Sequence, residues 1–229
     1  MIRRFHYGWV VAAVIFLSLF LGGSTTSIVT VFIRPWADHF GWATAAITLA
    51  ISIQLILSGP AAIAAGSLTD RFGPKRVFLI FLLLTAVGAI GISAMKELWQ
   101  LYLFFGIFLG IGTAEHPVIT PLIARWFPKG RGLALSIIQM SDLIGLAMLG
   151  SLVLKLGDTV GWRIPWLGIG AAILLLVLPL TLFLVRVAPL NPAPTSQANP
   201  PSALATAQGA TLLQASRSRS LWMLIINRF

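Results

Sequence analysis

Six apolar stretches, each long enough to cross a lipid bilayer as a helix, constrain the fold of this 229-residue chain more than any other feature. They cover residues 9–33, 44–68, 77–95, 99–122, 132–154 and 164–186. A bilayer has a hydrocarbon core about 30 Å thick, which about 20 apolar helical residues can cross. None of the stretches alternates as strands do, and a helix satisfies its own backbone hydrogen bonds in lipid. The pattern therefore predicts an all-α membrane protein with six transmembrane helices.

The composition makes lipid the expected solvent and argues against several functional classes. Hydrophobic residues make up 58% of the chain and charged residues 10%, with a mean hydropathy of +0.93. Soluble domains carry about a quarter charged residues. The net charge of +10 lies in short clusters between apolar stretches, so we expect no nucleic-acid partner. The chain has no cysteine, and we find no zinc-ligand cluster and no Ser/His/Asp set, so we predict no metal, no cofactor and no enzyme activity.

The distribution of lysine and arginine predicts how the helices are oriented. Alternate connecting segments, starting with the N-terminus, hold most of these residues. This basic set is Arg3, Arg4, Arg71, Lys75, Arg76, Arg125, Lys129, Arg131, Arg186, Arg217 and Arg219, and the opposite segments hold only Arg34, Lys96, Lys155 and Arg163. Cytoplasmic segments of membrane proteins carry an excess of these residues. We therefore expect a cytoplasmic N-terminus in a multi-pass protein of the plasma (cell inner) membrane.

The composition changes after Arg186 and divides the chain into three parts. Residues 1–188 form the predicted six-helix bundle. Residues 189–219 are rich in Pro, Ala, Ser and Gln, which is typical of a linker, here cytoplasmic. Residues 220–229 turn apolar but are too few to cross a bilayer. We interpret them as the truncated start of a seventh helix, in either a fragment or an interrupted gene.

The loop GSLTDRFGPKRV, from Gly66 to Val77, concentrates charge between two nearly uncharged stretches. It contains three bases that would hold it in the cytoplasm, Arg71, Lys75 and Arg76. Gly73 followed by Pro74 favours a turn. Gly66 lies four residues before Asp70 on the same helix face, where it would allow a close helix contact. Anchoring by bases alone explains neither Asp70 nor the glycine spacing.

This loop resembles the signature of the loop between helices 2 and 3 in the major facilitator superfamily, G-x-L-x-D-R-x-G-x-[KR]-[KR]. The matching residues are Gly66, Leu68, Asp70, Arg71, Gly73, Lys75 and Arg76. The chain departs from the family at Pro74, where a base is frequent. The resemblance implies the N-terminal half of a twelve-helix facilitator, whose partners are the lipid bilayer and a missing C-terminal half or a second copy. It also implies that Asp70 latches the cytoplasmic side by contacting a helix start in the second half, where a carboxylate is favoured.

Two further stretches resemble a subgroup of that family. FHYGWVVAAVIFLSLFLGG and ARWFPKGRGLALSI are similar to the first helix and the helix 4–5 loop of oxalate/formate antiporter-like and monocarboxylate-transporter-like facilitators. Monocarboxylate transporters carry a basic residue inside helix 1, where this chain has Ser27. The resemblance implies secondary transport of a small organic anion, a mono- or dicarboxylate, by alternating access. The alternative is a truncated, non-transporting six-helix membrane protein that needs a second half to function.

Two carboxyl groups fall inside the predicted spans, where ionisable residues are functional candidates. Glu115 lies ten residues before Arg125, and Asp142 lies eleven residues after Arg131. Both are therefore roughly 15 Å from the cytoplasmic interface. Two carboxyl groups that approach closely favour sharing a proton, which suits proton coupling with His116 nearby. Separate structural hydrogen bonds between helices are the alternative interpretation.

A few uncharged polar residues extend this candidate site. Gln54 lies in the second stretch, and Gln139 shares a helix face with Asp142. These two amides either line a cavity or cross-link helices. A run of hydroxyls follows Gly22 and Gly23, namely Ser24, Thr25, Thr26 and Ser27. The hydroxyls either contact substrate or bond back to the helix backbone.

Overall fold

A computed structural model describes residues 2–127 and 130–186 of the chain. Over these residues it contains six helical segments long and apolar enough to cross a membrane, numbered here as spans 1 to 6. They are Tyr7–Phe40, Thr44–Phe72, Pro74–Ala94, Leu98–Trp126, Arg131–Gly157 and Arg163–Leu184. The described residues form no strand, and the predicted fold class is confirmed. The predicted linker, 189–219, and the predicted helix start, 220–229, lie outside the described residues.

Three of the spans are composite. Span 1 consists of the helices Ile2–Leu21 and Ser24–Phe40. Span 4 consists of Leu98–Leu101, a π-helical turn Tyr102–Leu109, the short Gly110–Gly112 and the helix His116–Trp126. Span 6 passes from Arg163–Ala172 through the π-helical Ile173–Val177 into Leu178–Leu184. Spans 2 and 3 are the single helices Thr44–Phe72 and Pro74–Ala94, and span 5 belongs to the helix Arg131–Val160.

The first span is longer than the sequence predicts. The prediction ends it at residue 33, with Arg34 at its end, but the helix continues to Phe40. The helix ends at Gly41, which has a φ of +69° and donates its amide hydrogen to the Ala37 oxygen over 2.9 Å. A glycine in the left-handed region is a frequent helix terminator. Gly41, and not the Arg34–Pro35 pair, therefore sets this boundary.

Burial is unequal among the spans. In the most apolar windows of spans 1 and 3, 61% and 56% of residues are buried, against 17% in span 2 and 28% in span 5. Span 2 exposes Leu55, Ile56 and Ile63, and span 5 exposes Leu143 and Met148. Spans 1 and 3 therefore form the centre of the described bundle, and spans 2 and 5 present apolar faces that no described residue covers.

An aromatic cluster joins the last turns of span 1, which ends at Phe40, to the start of span 6 at Arg163. The Trp36 ring lies 6.1 Å from that of Trp166 and 5.9 Å from that of Trp162, between ring centroids. Phe32 stacks on Trp36 at 5.5 Å. Trp36 and Trp166 are fully buried. Interfacial tryptophans of membrane proteins commonly lie at helix ends, but these three are buried and pack against each other.

Candidate functional site

The backbone of span 1 is interrupted at Gly22 and Gly23, halfway along its length. The amides of these two glycines still bond to the oxygens of Ser18 and Leu19, at 2.7 and 2.9 Å. The next bond changes to a shorter register, from the Thr25 amide to the Gly22 oxygen at 3.2 Å. Glycine weakens a helix by about 1 kcal/mol relative to alanine, so a Gly-Gly pair is a natural place for this break.

The hydroxyls that follow the break bond to span 1 itself. Ser24 donates to the Phe20 oxygen at 2.6 Å, Thr25 donates to the Gly22 oxygen, and Thr26 donates to the Gly23 oxygen at 2.9 Å. The sequence leaves two roles open for this run. For these three hydroxyls the structure has the hydrogen bonds to the helix backbone. Ser27 differs, because its half-buried side chain has no hydrogen bond to any described residue. Ser27 is therefore the member of the run whose hydroxyl is open to another group.

Span 4 is interrupted at Thr113, Ala114 and Glu115, just before the helix that starts at His116. Pro117 lies in the first turn of that helix. Proline suits the first turn, because its missing N–H would have no partner there, and it disfavours a continuous helix into the preceding residues. The break lies before Pro117, so that Glu115 itself lies within it.

Thr85 of span 3 connects the two breaks. A Cβ atom built on Gly22 would lie 3.3 Å from Thr85 Cγ2, and one built on Gly112 would lie 2.5 Å from Thr85 Oγ1. The Thr85 hydroxyl is buried and donates to the Phe81 oxygen at 3.0 Å. Spans 1 and 4 are therefore both interrupted at the level of one side chain of span 3.

Both predicted carboxyl groups lie at these breaks. Glu115 is 3% exposed, and its carboxyl group has no hydrogen bond to a described residue. Asp142 of span 5 is half-buried, and its Oδ1 is buried without a hydrogen-bond partner among the described residues. Asp142 is within electrostatic reach of both Glu115 and His116. The three residues therefore come together, although no pair of them forms an ion pair within 4 Å over the described part of the chain.

The Asp142 carboxyl group packs directly against the break in span 1. A Cβ atom built on Gly23 would overlap Asp142 Oδ1 and would lie 2.9 Å from its Cγ. One turn further along span 5, a Cβ atom on Gly145 would lie 2.6 Å from the Phe20 oxygen. Span 5 thus contacts the break through a face formed by Asp142 and Gly145.

The two glutamines occupy different environments. Gln54 is half-buried beside span 4, where a Cβ atom on Gly110 would lie 3.2 Å from its backbone oxygen. Gln139 is exposed. Neither side chain has a hydrogen bond to a described residue, so neither amide cross-links helices within the described bundle.

The loop with the family signature lies at the opposite end of spans 2 and 3 from Lys96. Gly73 has a φ of +83°, which glycine adopts without strain, and its amide closes span 2 on the Thr69 oxygen at 2.9 Å. Asp70, Arg71 and Arg76 are exposed, and Leu68 is half-buried. Gly66 does not make the predicted close helix contact within the described bundle. A Cβ atom there would meet no atom within 4 Å, because this face of span 2 is uncovered.

Sequence reasoning misses Thr85 and Gly23 as parts of the site. A signal for Thr85 exists, since it is the one hydroxyl between Val77 and Gly91 in an otherwise apolar stretch. No local signal identifies Gly23, because its role depends on a carboxyl group more than a hundred residues away.

Comparison with known proteins gives a consistent set of matches. The family model described as Major Facilitator Superfamily matches residues 15–229. Human Monocarboxylate transporter 7 is 26% identical over 167 residues, which is 72% of this chain and 32% of that protein. Mouse Monocarboxylate transporter 3 is 29% identical over 170 residues, or 73% of this chain and 34% of that protein. Multidrug resistance protein MdtH of Shigella dysenteriae serotype 1 (strain Sd197) is 29% identical over 124 residues, or 52% and 31%. The chain thus spans about a third of the length of these curated relatives.

Proposed function

This chain belongs to the major facilitator superfamily, and we propose that it forms the N-terminal half of a secondary transporter that moves a small organic anion, a mono- or dicarboxylate, by proton-coupled alternating access. The observation that carries this proposal is the position of the two carboxyl groups, with Asp142 against the break in span 1 and Glu115 within the break in span 4, next to His116. Transporters bind substrate and coupling ions near the bilayer midplane at discontinuous helices. The interruptions of spans 1 and 4 beside these carboxyl groups support a site of that kind.

The charges in the middle of the spans support a link between the anion and the proton. In the described residues, the ionisable groups there are Glu115, His116 and Asp142, without lysine or arginine. Ionised carboxyl groups repel an anion, and protonated ones do not. Binding of an anionic substrate beside them therefore favours uptake of a proton. Ser27 stands where monocarboxylate transporters have a base, so the charge that attracts the anion would come from the second half.

The surrounding membrane topology is part of the same proposal. The excess of lysine and arginine in alternate connecting segments supports a cytoplasmic N-terminus in the plasma (cell inner) membrane. The loop from Gly66 to Arg76 would then face the cytoplasm. Asp70 is exposed there, available to latch onto a helix start of a C-terminal half or a second copy.

The test is uptake of radiolabelled oxalate, formate, lactate and pyruvate at acid and neutral pH into proteoliposomes that hold this chain together with a C-terminal six-helix half. Glu115→Gln keeps the size of the side chain but cannot exchange a proton. We expect this variant to lose the pH dependence of uptake. Asp38→Asn is the matched control, because Asp38 is exposed at the outer end of span 1. Full pH dependence in the Glu115→Gln variant would contradict the coupling role.

A second candidate substrate is an organic cation. Two carboxyl groups without a nearby lysine or arginine favour a positive ligand over a negative one. We would then expect uptake of a labelled lipophilic cation that falls as the proton concentration rises. Unlabelled oxalate, formate, lactate and pyruvate should not inhibit it. That result would support the cation over the anion.

A third candidate is a six-helix membrane protein that transports nothing without a second half. The uncovered apolar faces of spans 2 and 5 favour it. This candidate predicts no uptake of any probe by the chain alone, and recovery of uptake when a C-terminal six-helix half is co-expressed.

A further inference from the structure

We infer that Gly23 is a positioning residue of the proposed proton site, which holds the Asp142 carboxyl group at the break in span 1 by leaving empty the space that a side chain would fill. The inference rests on the proposed function for its role in transport. The contact itself rests on the geometry of the described residues alone.

The first observation is steric. A Cβ atom on Gly23 would overlap Asp142 Oδ1 and lie 2.9 Å from Cγ. Side chains in close-packed interiors do not approach each other so closely. Any residue other than glycine at position 23 would therefore displace the carboxyl group or the backbone of span 1.

The second observation is that span 5 packs closely against span 1 beside this carboxyl group. Three residues along the same helix face, a Cβ atom on Gly145 would lie 2.6 Å from the Phe20 oxygen and 2.9 Å from Ser24 Cβ. Span 5 is therefore held close to both ends of the break.

The third observation is polar. Asp142 Oδ1 is buried without a hydrogen bond to any described residue. An uncompensated buried charge is costly, so this location favours the neutral carboxyl group. The titratable groups that face Asp142 are Glu115 and His116 of span 4. The elements of span 1 at the contact offer the hydroxyls of Ser24 and Thr25, which donate to their own backbone.

The consequence is a link between the proton and the packing of spans 1 and 5. The neutral carboxyl group fits against Gly23, whereas the ionised group would be favoured away from this contact, on the less buried side of Asp142. Loss of the proton would then loosen the contact at the break of span 1. Gly23 makes this link possible because it allows the carboxyl group to reach the break.

The first test is a double-mutant cycle on the chain in detergent, read as the midpoint of thermal unfolding. We expect Gly23→Ala to lower the midpoint by several degrees in the wild-type background. In the Asp142→Ala background no carboxyl group meets the new methyl group, so the same change should have a smaller effect, limited to the 2.9 Å approach of that methyl group to the Leu19 oxygen. Gly59→Ala is the matched control, because a Cβ atom there meets nothing within 4 Å. Equal losses from Gly23→Ala in both backgrounds would overturn the inference.

The second test measures the infrared C=O band of the Asp142 carboxyl group. A glycine with only a structural role would not influence this band. The infrared C=O band of protonated Asp142 is isolated as the difference between wild type and Asp142→Asn at acid pH. A carbonyl without a hydrogen bond absorbs at higher frequency than a solvated one. We expect Gly23→Ala to move this band to lower frequency and Gly59→Ala to leave it unchanged. An unmoved band in Gly23→Ala would also overturn the inference.

The two proposals fail separately. If the cycle and the band behave as expected while Glu115→Gln keeps full pH-dependent uptake, the position of Asp142 is supported and proton coupling is not. If Glu115→Gln abolishes the pH dependence while the cycle shows no coupling, the proton site stands and the role of Gly23 does not.

Discussion

Lys75 of the signature loop donates a hydrogen bond from its Nζ to the backbone oxygen of Leu182 in span 6, over 2.7 Å. Two further side chains bind the same end of span 6. The Tyr7 hydroxyl donates to the Leu184 oxygen at 2.7 Å, and the Trp126 Nε1 donates to the Arg186 oxygen at 2.8 Å. The last carbonyl groups of a helix have no partner within it. Spans 3, 1 and 4 thus each supply one donor to the end of span 6, and these three residues, Tyr7, Lys75 and Trp126, are here called the clasp.

We predict that the clasp keeps the end of span 6 closed around Val185, which is fully buried. Tyr7→Phe removes one hydrogen bond and keeps the ring, at a cost of about 1 kcal/mol. Since the chain has no cysteine, Val185→Cys provides a unique thiol whose rate of maleimide labelling reports exposure. The rate should rise several-fold when Tyr7→Phe is added.

Tyr102→Phe is the matched control for this experiment. Like Tyr7→Phe, it removes one tyrosine hydroxyl group. That group donates to the Ala46 oxygen over 3.0 Å at the other end of the bundle. The labelling rate of Cys at position 185 should then stay at its starting value. An equal acceleration by both tyrosine variants would indicate general loosening and would contradict the clasp.

The orientation of the chain can be tested with single cysteines at two exposed positions. Arg76 and Lys96 lie at opposite ends of span 3. Because the positive-inside rule puts the loop with Arg76 in the cytoplasm, a membrane-impermeant maleimide should label Lys96→Cys and spare Arg76→Cys in intact cells. Both should react after permeabilisation. The reverse pattern would invert the proposed topology and remove the cytoplasmic role of the Asp70 loop.

A feature of this structure can be predicted from the sequence when residues close together along the chain determine it. The spans follow from local hydropathy. The common level of Glu115 and Asp142 follows from counting residues to Arg125 and Arg131, and the structure brings the two carboxyl groups within electrostatic reach. Their role in coupling stays a prediction.

The rotation of each helix about its axis does not follow from such counting. It is set by packing between spans that are distant in sequence. The local sequence therefore predicts neither the contact of Gly23 with Asp142 nor the position of Thr85 beside Gly22 and Gly112. The close helix contact expected at Gly66 is not made within the described bundle, because the open face of span 2 carries this residue. The sequence identifies a small residue but not the direction in which it faces.

The close approach of Gly112 to Thr85 leads to a prediction for span 4. A Cβ atom on Gly112 would lie 2.5 Å from Thr85 Oγ1 and 2.7 Å from the Thr85 backbone nitrogen. Because backbone cannot move aside as a side chain can, Gly112→Ala should lower the free energy of unfolding by about 1–3 kcal/mol. Gly168→Ala, which meets nothing within 4 Å, should be neutral or slightly stabilising, since alanine is the better helix former. Denaturant titrations of both variants, followed by tryptophan fluorescence, make the comparison. Equal stability of the two would show that span 4 has more room at Thr85 than the geometry indicates.

The last prediction compares a buried tryptophan of the aromatic cluster, Trp36, with the exposed Trp99. Trp36 is fully buried among Phe32, Trp162 and Trp166, whereas Trp99 is 59% exposed. Truncation of a buried tryptophan leaves a cavity that its neighbours fill only in part, so Trp36→Ala should destabilise the bundle by on the order of 3 kcal/mol. Trp99→Ala removes the same atoms from a mostly open surface and should change stability by less than about 1 kcal/mol. The measurement is the unfolding midpoint of each variant in the same detergent. A similar loss in both variants would mean that the tryptophans act through lipid or detergent contacts, and not through the cluster.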